Sequence, residues 1–121
     1  MSEQALLDAI AARQEALLDD LRLHVETPTG GGNLHAIEDS RARITDRLRA
    51  LGASTGITPG DERPGWMGGN ETIPVSSLTE REGGAGPRVL IAGHLDTVHD
   101  PEGPFQKLAI CGDETATGPG C

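Results

Sequence analysis

The first part of the chain carries its apolar residues at helical spacing between residues 3 and 26. Most of them recur three, four or seven positions apart and so fall on one helix face; they are Leu6, Leu7, Ile10, Leu17, Leu18, Leu21 and Val25. Ser2 is a suitable N-cap. Thr27 is a suitable end, because a residue that precedes a proline avoids helical geometry. The pattern predicts one amphipathic helix over about residues 3–26.

A second helical pattern follows a glycine-rich connection at residues 29–33. Its apolar residues recur at intervals of three and seven, and they are Leu34, Ile37, Ile44, Leu48 and Leu51. Gly52 stands where a residue in left-handed conformation commonly ends a helix. We therefore expect a second helix from about Asn33 to Leu51.

Beyond Gly52 the pattern changes to short strands. One is expected around residues 53–58, and residues 72–79 alternate loosely, as in an edge strand, since Pro74 cannot donate a hydrogen bond to a sheet. Residues 88–93, with the sequence RVLIAG, are the most strand-like run in the chain. This run is continuously apolar, which is typical of a strand covered on both faces. Two amphipathic helices before such strands predict a layered α/β domain.

Composition limits the size of the core and the classes of partner. Of the 121 residues 36% are hydrophobic and only 2% are aromatic, so we expect one small, mainly aliphatic core. The net charge of −9 would repel a phosphate backbone and argues against nucleic-acid binding. No apolar stretch approaches the roughly 20 residues that a membrane-spanning helix requires. We therefore expect neither nucleic acid nor membrane as a partner.

The first residues and the cysteines predict a cytoplasmic location. The opening sequence, MSEQ, lacks the basic region that begins a signal peptide. Cys111 and Cys121 do not form a Cys-x-x-Cys pair, and two cysteines are too few for a disulfide framework. We interpret both as reduced thiols, as expected in the cytoplasm.

The residues that can carry chemistry follow the strand-like run, in the sequence GHLDTV at residues 93–98. In extended backbone, residues two apart project to the same side, so His94 and Asp96 would point together. They would do so at the carboxyl end of a strand, where open α/β sheets bind ligands. A neutral imidazole binds zinc, and a nearby carboxylate can hold its other ring N–H. Taken alone, such a pair is more often a loop histidine beside a turn aspartate.

The residues around this pair, taken in order, resemble a known family. Along this chain a strand-like run is followed by a His-x-Asp-Thr-Val motif, a loop with Pro-Phe, an apolar patch and a Gly-x-Gly turn. These segments are residues 93–98, 103–105, 108–111, Gly112-Asp113 and 118–120. This combination resembles the dizinc metallopeptidase family of acetylornithine deacetylase, succinyl-diaminopimelate desuccinylase, aminoacylase and bacterial glutamate carboxypeptidase. The two helices and the glycine-rich link between them agree with the same resemblance.

The resemblance implies a fold, a cofactor and a reaction. It implies a three-layer α/β/α catalytic domain with two zinc ions per intact active site, in which cobalt could replace zinc. His94 resembles a metal ligand, and Asp96 resembles the catalytic carboxylate that supports this ligand and tunes the metal-bound water. The implied reaction is hydrolysis of an amide or peptide bond next to a free carboxylate, in a small peptide or an N-acyl amino acid. The full-length protein would be a homodimer.

The chain also departs from the family pattern. It ends at Cys121, before the bridging Asp, the general-base Glu, the remaining ligands and the dimerisation domain that the family contains. We therefore expect residues 1–121 to be the N-terminal segment of an incomplete catalytic domain that is inactive by itself. The alternative is a non-catalytic α/β module that retains the motif and binds a partner through its apolar helix faces.

Other candidate sites carry weaker signals. His99 and Asp100 could contact substrate or metal, although a solvated loop is the more common role for such residues. His24 and His35 are expected on helix surfaces. Residues 83–86 lack the Gly-x-Gly-x-x-Gly spacing of a dinucleotide site. The absence of a Gly-x-Ser-x-Gly motif leaves a serine hydrolase without support.

Overall fold

A computed structural model describes residues 2–30, 32–68, 73–112 and 115–120. Thr72, Asp113 and Cys121, named above for their place in the sequence, lie outside these ranges. The chain forms two compact units, one of Met1–Gly31 with Thr97–Cys121 and one of Gly32–Asp96. The structure combines helices with small antiparallel sheets and is α/β in this broad sense. No helix among the described residues has both the length and the apolar character needed to cross a membrane.

The helices of the first unit are α1 (Glu3–Ala11) and α2 (Gln14–Val25). The predicted N-cap is confirmed, since Ser2 Oγ accepts a hydrogen bond from the Ala5 amide at 3.3 Å. The prediction of one continuous helix over residues 3–26 is wrong, because the chain turns at Ala12 and Arg13. Between Ile10 and Leu17 the sequence contains no large apolar residue that could hold the backbone helical by packing.

The first unit also contains a hairpin of β3 (Ala109–Cys111) and β4 (Thr115–Thr117), which pair antiparallel. A separate parallel bridge joins Gly30 to Thr97. Val25 and Leu108 are the buried apolar residues of this unit, and Gly118 lies against both of them. Among the described residues the buried hydrophobic side chains are few and aliphatic, as composition predicts, but they are divided between two units and do not form one core.

The helix of the second unit is α3 (Leu34–Ala50), close to the predicted range. Asn33 Oδ1 accepts a hydrogen bond from the Ala36 amide at 3.3 Å and so caps the first turn. At the other end Gly52 adopts a φ of 85°, which is the left-handed conformation expected of it. Ala36 and Ile37 are buried on one face of α3.

Two strands of the second unit, β1 (Ser54–Thr58) and β2 (Ser76–Glu80), form an antiparallel pair that contacts α3. Arg41 on α3 donates a hydrogen bond from Nη1 to Ser77 Oγ on β2 at 2.7 Å. A short 3₁₀ helix, Gly65–Met67, lies between the strands in sequence. The predicted strand at residues 53–58 is confirmed, whereas β2 begins later than residue 72, beyond Pro74.

The prediction of a buried strand at residues 88–93 is wrong. The segment is irregular, and its apolar residues Val89, Leu90 and Ile91 are exposed to 79%, 80% and 91%. A strand requires neighbours to take up its backbone hydrogen bonds, and the described residues supply none to this segment. The sheets in the described part of the chain are two antiparallel pairs. A three-layer α/β/α architecture thus stays a prediction.

Candidate metal-ligand pair at His94 and Asp96

The side chains of His94 and Asp96 lie in contact. His94 Nδ1 is 3.0 Å from the backbone carbonyl oxygen of Asp96 and 3.3 Å from its carboxylate Oδ1. Both side chains stand out from the surface, with 81% and 70% of their area exposed. The two residues predicted to project together are therefore together in the structure.

The contacts of His94 Nδ1 with the backbone carbonyl oxygen and Oδ1 of Asp96 favour one tautomer of the ring. A carbonyl oxygen can only accept a hydrogen bond, and so can an ionised carboxylate. Because both face Nδ1, the neutral ring must hold its hydrogen on Nδ1 to satisfy them. The lone pair of the ring is then on Nε2, the nitrogen away from Asp96. A carboxylate that holds one ring nitrogen of a metal-binding histidine is a common arrangement in zinc sites.

Local sequence accounts for this geometry. The pair sits two residues apart in a segment without positive φ angles, so both side chains can project to one side. The intervening Leu95 is half-buried. High exposure makes the contact between His94 and Asp96 a weak one in energy, because water competes for both groups and screens their charge. Its value is in orienting the ring rather than in stabilising the fold.

The pair alone does not complete a metal site. A closed zinc site needs three or four protein ligands. Across the described ranges, no three His, Cys, Asp or Glu side chains come together as a metal ion would require. The residues present thus provide one of the ligands that a zinc site needs, a single imidazole, together with the carboxylate that orients it.

The second candidate pair, His99 and Asp100, has structural contacts within its own loop. The His99 ring meets Phe105 edge-to-face with 5.1 Å between ring centres. Asp100 Oδ1 accepts a hydrogen bond from the Glu102 amide at 2.9 Å. The backbone carbonyl oxygen of Asp100 accepts a second one from Gln106 Nε2 at 2.6 Å. These contacts shape a turn, so the geometry favours the loop role for both residues.

The two remaining histidines lie on helices, as expected. His35 is in the first turn of α3, where its Nε2 is 3.5 Å from Asp39 Oδ2 and its side chain is 89% exposed. His24 is in the last turn of α2. The structure brings neither of them into a group of metal ligands.

Sequence reasoning did not identify Glu26 as an anchor of the first unit. Its carboxylate accepts hydrogen bonds from Lys107 Nζ at 3.1 Å and from the Leu108 amide at 3.3 Å. The hydrogen bond from Lys107 lowers the pKa of Glu26 below its ordinary value, and the bond from Leu108 adds to this effect. The contact joins residues 81 and 82 positions apart, so no local pattern in the sequence predicts it.

Gly30 is a second residue that the sequence alone did not single out. A Cβ atom at this position would overlap the backbone carbonyl oxygen of His99. The parallel bridge between Gly30 and Thr97, in which the Thr97 amide donates to the Thr29 carbonyl at 3.3 Å, needs this close approach. The one sequence signal for a close backbone approach at this position is the run of glycines at residues 30–32.

Comparison with models of protein families, with curated proteins and with solved structures gives no match to this chain.

Proposed function

We propose that this chain provides a metal-ligating histidine, His94, and its supporting carboxylate, Asp96, to a zinc-dependent hydrolase. The reaction would cleave an amide or peptide bond next to a free carboxylate. The observation that carries the proposal is the contact of His94 Nδ1 with the backbone carbonyl oxygen and Oδ1 of Asp96, which leaves Nε2 as the nitrogen for a metal. The resemblance of residues 93–120 to the dizinc metallopeptidases supplies the reaction class.

In this proposal the chain contributes a histidine ring, that of His94, which Asp96 orients toward the metal. Asp96 holds the imidazole in the Nδ1–H form and limits its rotation, so Nε2 keeps its lone pair toward the metal position. The negative charge of the carboxylate also makes the imidazole a stronger ligand. A zinc ion bound there would lower the pKa of a bound water to about 7, which provides a nucleophile at neutral pH.

The proposal requires partners for His94 that the described residues do not supply. The other ligands and the general base would come from further polypeptide of the same protein, and the 121 residues by themselves would be inactive. Small peptides or N-acyl amino acids are the proposed substrates, and two zinc ions, replaceable by cobalt, the proposed cofactor. We also propose a homodimer for the full-length protein and a cytoplasmic location, the latter because two cysteines are too few for a disulfide framework.

A second candidate function is a non-catalytic module that binds a protein partner. It is favoured by the apolar face of α1 and α2, where Leu6, Ile10 and Leu17 are each about half exposed at 51%, 51% and 50%. Contiguous exposed apolar surface of this kind commonly marks an interaction site. The two functions differ in whether the protein holds zinc.

Metal analysis separates the two functions. The protein would be produced from its complete reading frame, reconstituted with zinc and dialysed, and its zinc content measured by mass spectrometry. We expect about two zinc ions per chain and a loss of at least one of them in His94→Ala. His35→Ala is the matched control, because His35 is as exposed as His94, and it should retain the full content. Wild-type protein without zinc would leave the binding module as the function, and unchanged zinc in His94→Ala would show that His94 is not a zinc ligand.

The role of Asp96 calls for a separate variant. Asp96→Asn keeps the size of the side chain but removes its charge and can present an N–H to Nδ1 instead of an acceptor. We expect zinc affinity and the rate of N-acyl amino acid hydrolysis to fall by roughly 10- to 100-fold. Asp100→Asn, which alters a carboxylate in the adjacent loop, should leave zinc affinity unchanged. Equal losses in both variants would mean that Asp96 has no special role.

A further inference from the structure

The peptide unit between Asp96 and Thr97 is hydrogen-bonded on both of its edges. On one edge the Asp96 carbonyl oxygen is 3.0 Å from His94 Nδ1. On the other edge the Thr97 amide donates a hydrogen bond to the Thr29 carbonyl oxygen at 3.3 Å. This peptide bond is trans and its atoms lie in one plane, so its C=O and N–H groups point in opposite directions. A contact that fixes the direction of the N–H group therefore also fixes the direction of the carbonyl group.

We propose that Thr29 and Gly30 are positioning residues for His94. The Thr29 carbonyl oxygen holds the N–H group of the peptide plane, and the plane directs the Asp96 carbonyl oxygen at Nδ1. This oxygen in turn keeps the ring hydrogen on Nδ1. The groups form one chain of hydrogen bonds, in which each bond polarises the next and strengthens it. The ring of His94 is thus oriented by residues that lie far before it in the sequence.

The backbone oxygen of Asp96 constrains the ring more firmly than its carboxylate does. The carboxylate Oδ1 is 3.3 Å from Nδ1, farther than the carbonyl oxygen. The side chain is also 70% exposed, so water competes for it and it can change rotamer. A carbonyl oxygen has no such freedom once its peptide plane is fixed. The hydrogen bond from Thr97 to Thr29 is therefore the contact on which the orientation of the ring depends most.

The Thr29 carbonyl is itself held in place. Thr29 is buried, with 5% of its surface exposed. Its amide donates to the Thr27 carbonyl at 2.9 Å, and the Thr27 hydroxyl donates to the Leu23 carbonyl on α2 at 2.7 Å. The acceptor of the Thr97 amide is thus connected to a helix through consecutive hydrogen bonds. It can serve as a fixed point for the peptide plane.

Gly30 keeps Thr29 close to residues 97–99. A Cβ atom at Gly30 would overlap the His99 carbonyl oxygen and would lie 3.1 Å from Thr97 Oγ1. The overlapped atom belongs to the backbone, so it cannot move aside as the end of a flexible side chain can. A larger residue at position 30 must push the two segments apart. This separation lengthens the hydrogen bond between Thr97 and Thr29 and frees the peptide plane to rotate.

The orientation of the ring belongs to the fold of this chain, whereas its use in metal binding rests on the proposed function. The tautomer of His94 reports on the positioning residues, and the zinc content reports on the function. Wild-type protein without zinc, or an altered tautomer with unaltered zinc affinity, would count against the proposed function. Neither result would affect the role of Thr29 and Gly30 in orienting the ring.

Gly30→Ala tests the positioning role through the ring nitrogens of His94. The protein would be produced from its complete reading frame with ¹⁵N-labelled histidine, and the His94 signals would be assigned by their loss in His94→Gln. At a pH where the ring is neutral, we expect wild type to carry its hydrogen on Nδ1 and Gly30→Ala to shift toward a mixture of the two tautomers. Zinc affinity should fall by about tenfold in the same variant.

Gly60→Ala is the matched control. A Cβ atom at Gly60 would also overlap a backbone carbonyl oxygen, that of Ile73, at a place away from His94 in the sequence. This variant should lose stability in the same way but leave the tautomer of His94 and the zinc affinity unchanged. An unchanged tautomer in Gly30→Ala, or an equal shift in both variants, would overturn the proposal.

A measurement on the wild type decides the question even if Gly30→Ala does not fold. Deuterium exchange of the Thr97 amide should be at least about tenfold slower than in an unfolded chain, because its hydrogen bond to Thr29 must open first. A Thr97 amide that exchanges at the unfolded rate, or a neutral His94 with its hydrogen on Nε2, would overturn the proposal.

Discussion

The α3–β1–β2 region and the segment at residues 88–93 both contain large apolar residues, yet only the former buries any of them. Ile37 on α3 is 8% exposed, whereas Ile91 is 91% exposed. The strands β1 and β2 satisfy each other's backbone groups, while those of residues 88–93 are satisfied by no described residue. Apolar character alone therefore does not make a segment part of a core. A run of apolar residues becomes one only where a neighbour completes its hydrogen bonds and covers its side chains.

We expect the largest loss of stability from a substitution in the core beneath α3. Ile37→Ala removes buried methyl and methylene groups beneath α3, and we expect it to lower the free energy of unfolding by about 2 to 3 kcal/mol. The matched variant Ile91→Ala makes the same chemical change in an exposed side chain. It should cost about 0.5 kcal/mol or less. Urea denaturation at concentrations where the chain is monomeric measures both.

Equal losses of stability from the two isoleucine variants would contradict this difference between the two regions. Such a result would mean that residues 88–93 pack into a core within one chain.

A smaller effect should come from the end of α3. Gly52 has a φ of 85°, and a Cβ there is strained although no atom lies near it. We expect Gly52→Ala to destabilise the chain by about 1 kcal/mol. Gly83→Ala is the control, because Gly83 has open space around it and no positive φ. It should be neutral or slightly stabilising, and a thermal melt distinguishes the two variants.

The smallest effect should be a pH dependence that originates at Glu26. The hydrogen bond from Lys107 lowers the pKa of Glu26 from its ordinary value of 4.5. Since the folded pKa is below the unfolded one, this contribution is fully present above pH 4.5. It disappears as the pH falls from there through the folded pKa. The melting temperature of Glu26→Gln should therefore fall less than that of wild type as the medium is acidified below pH 4.5.

Glu15→Gln provides the control for the pH experiment, as Glu15 is an exposed carboxyl on the same pair of helices. The comparison of the two variants separates the loss of a carboxyl group from the loss of the hydrogen bonds of Glu26. If Glu26→Gln and Glu15→Gln respond to acid alike, the carboxylate of Glu26 does not hold the segment that leads into β3.

Local signals were sufficient for some elements of the fold. Asn33 and Gly52 mark the two ends of α3, because caps depend on residues within a turn of the helix. The strand at β1 was also predicted, since its partner β2 follows within the same unit. The break between α1 and α2 at Ala12 cannot be predicted from periodicity, because the helical spacing of apolar residues continues across it. The strand predicted at residues 88–93 is wrong because a strand depends on neighbours that its own sequence does not specify.

The candidate site was predictable for a similar reason. His94 and Asp96 are two residues apart, so the local backbone is sufficient to bring their side chains together. The tautomer of His94, by contrast, depends on the backbone carbonyl of Asp96 turning toward Nδ1, which no sequence pattern encodes. The role of Glu26 as an anchor depends on a contact with Lys107 far along the chain. Its detection required the tertiary structure.

In the proposed site Asp96 holds the His94 ring so that Nε2 is presented to a metal. Long-range ¹H–¹⁵N NMR of the imidazole rings in the 121-residue chain measures this orientation directly. We predict that neutral His94 carries its hydrogen on Nδ1, and that added Zn²⁺ shifts the His94 Nε2 resonance before that of His35. A hydrogen on Nε2 of His94, or an equal effect of Zn²⁺ on the two histidines, would show that Asp96 does not orient the ring for a metal.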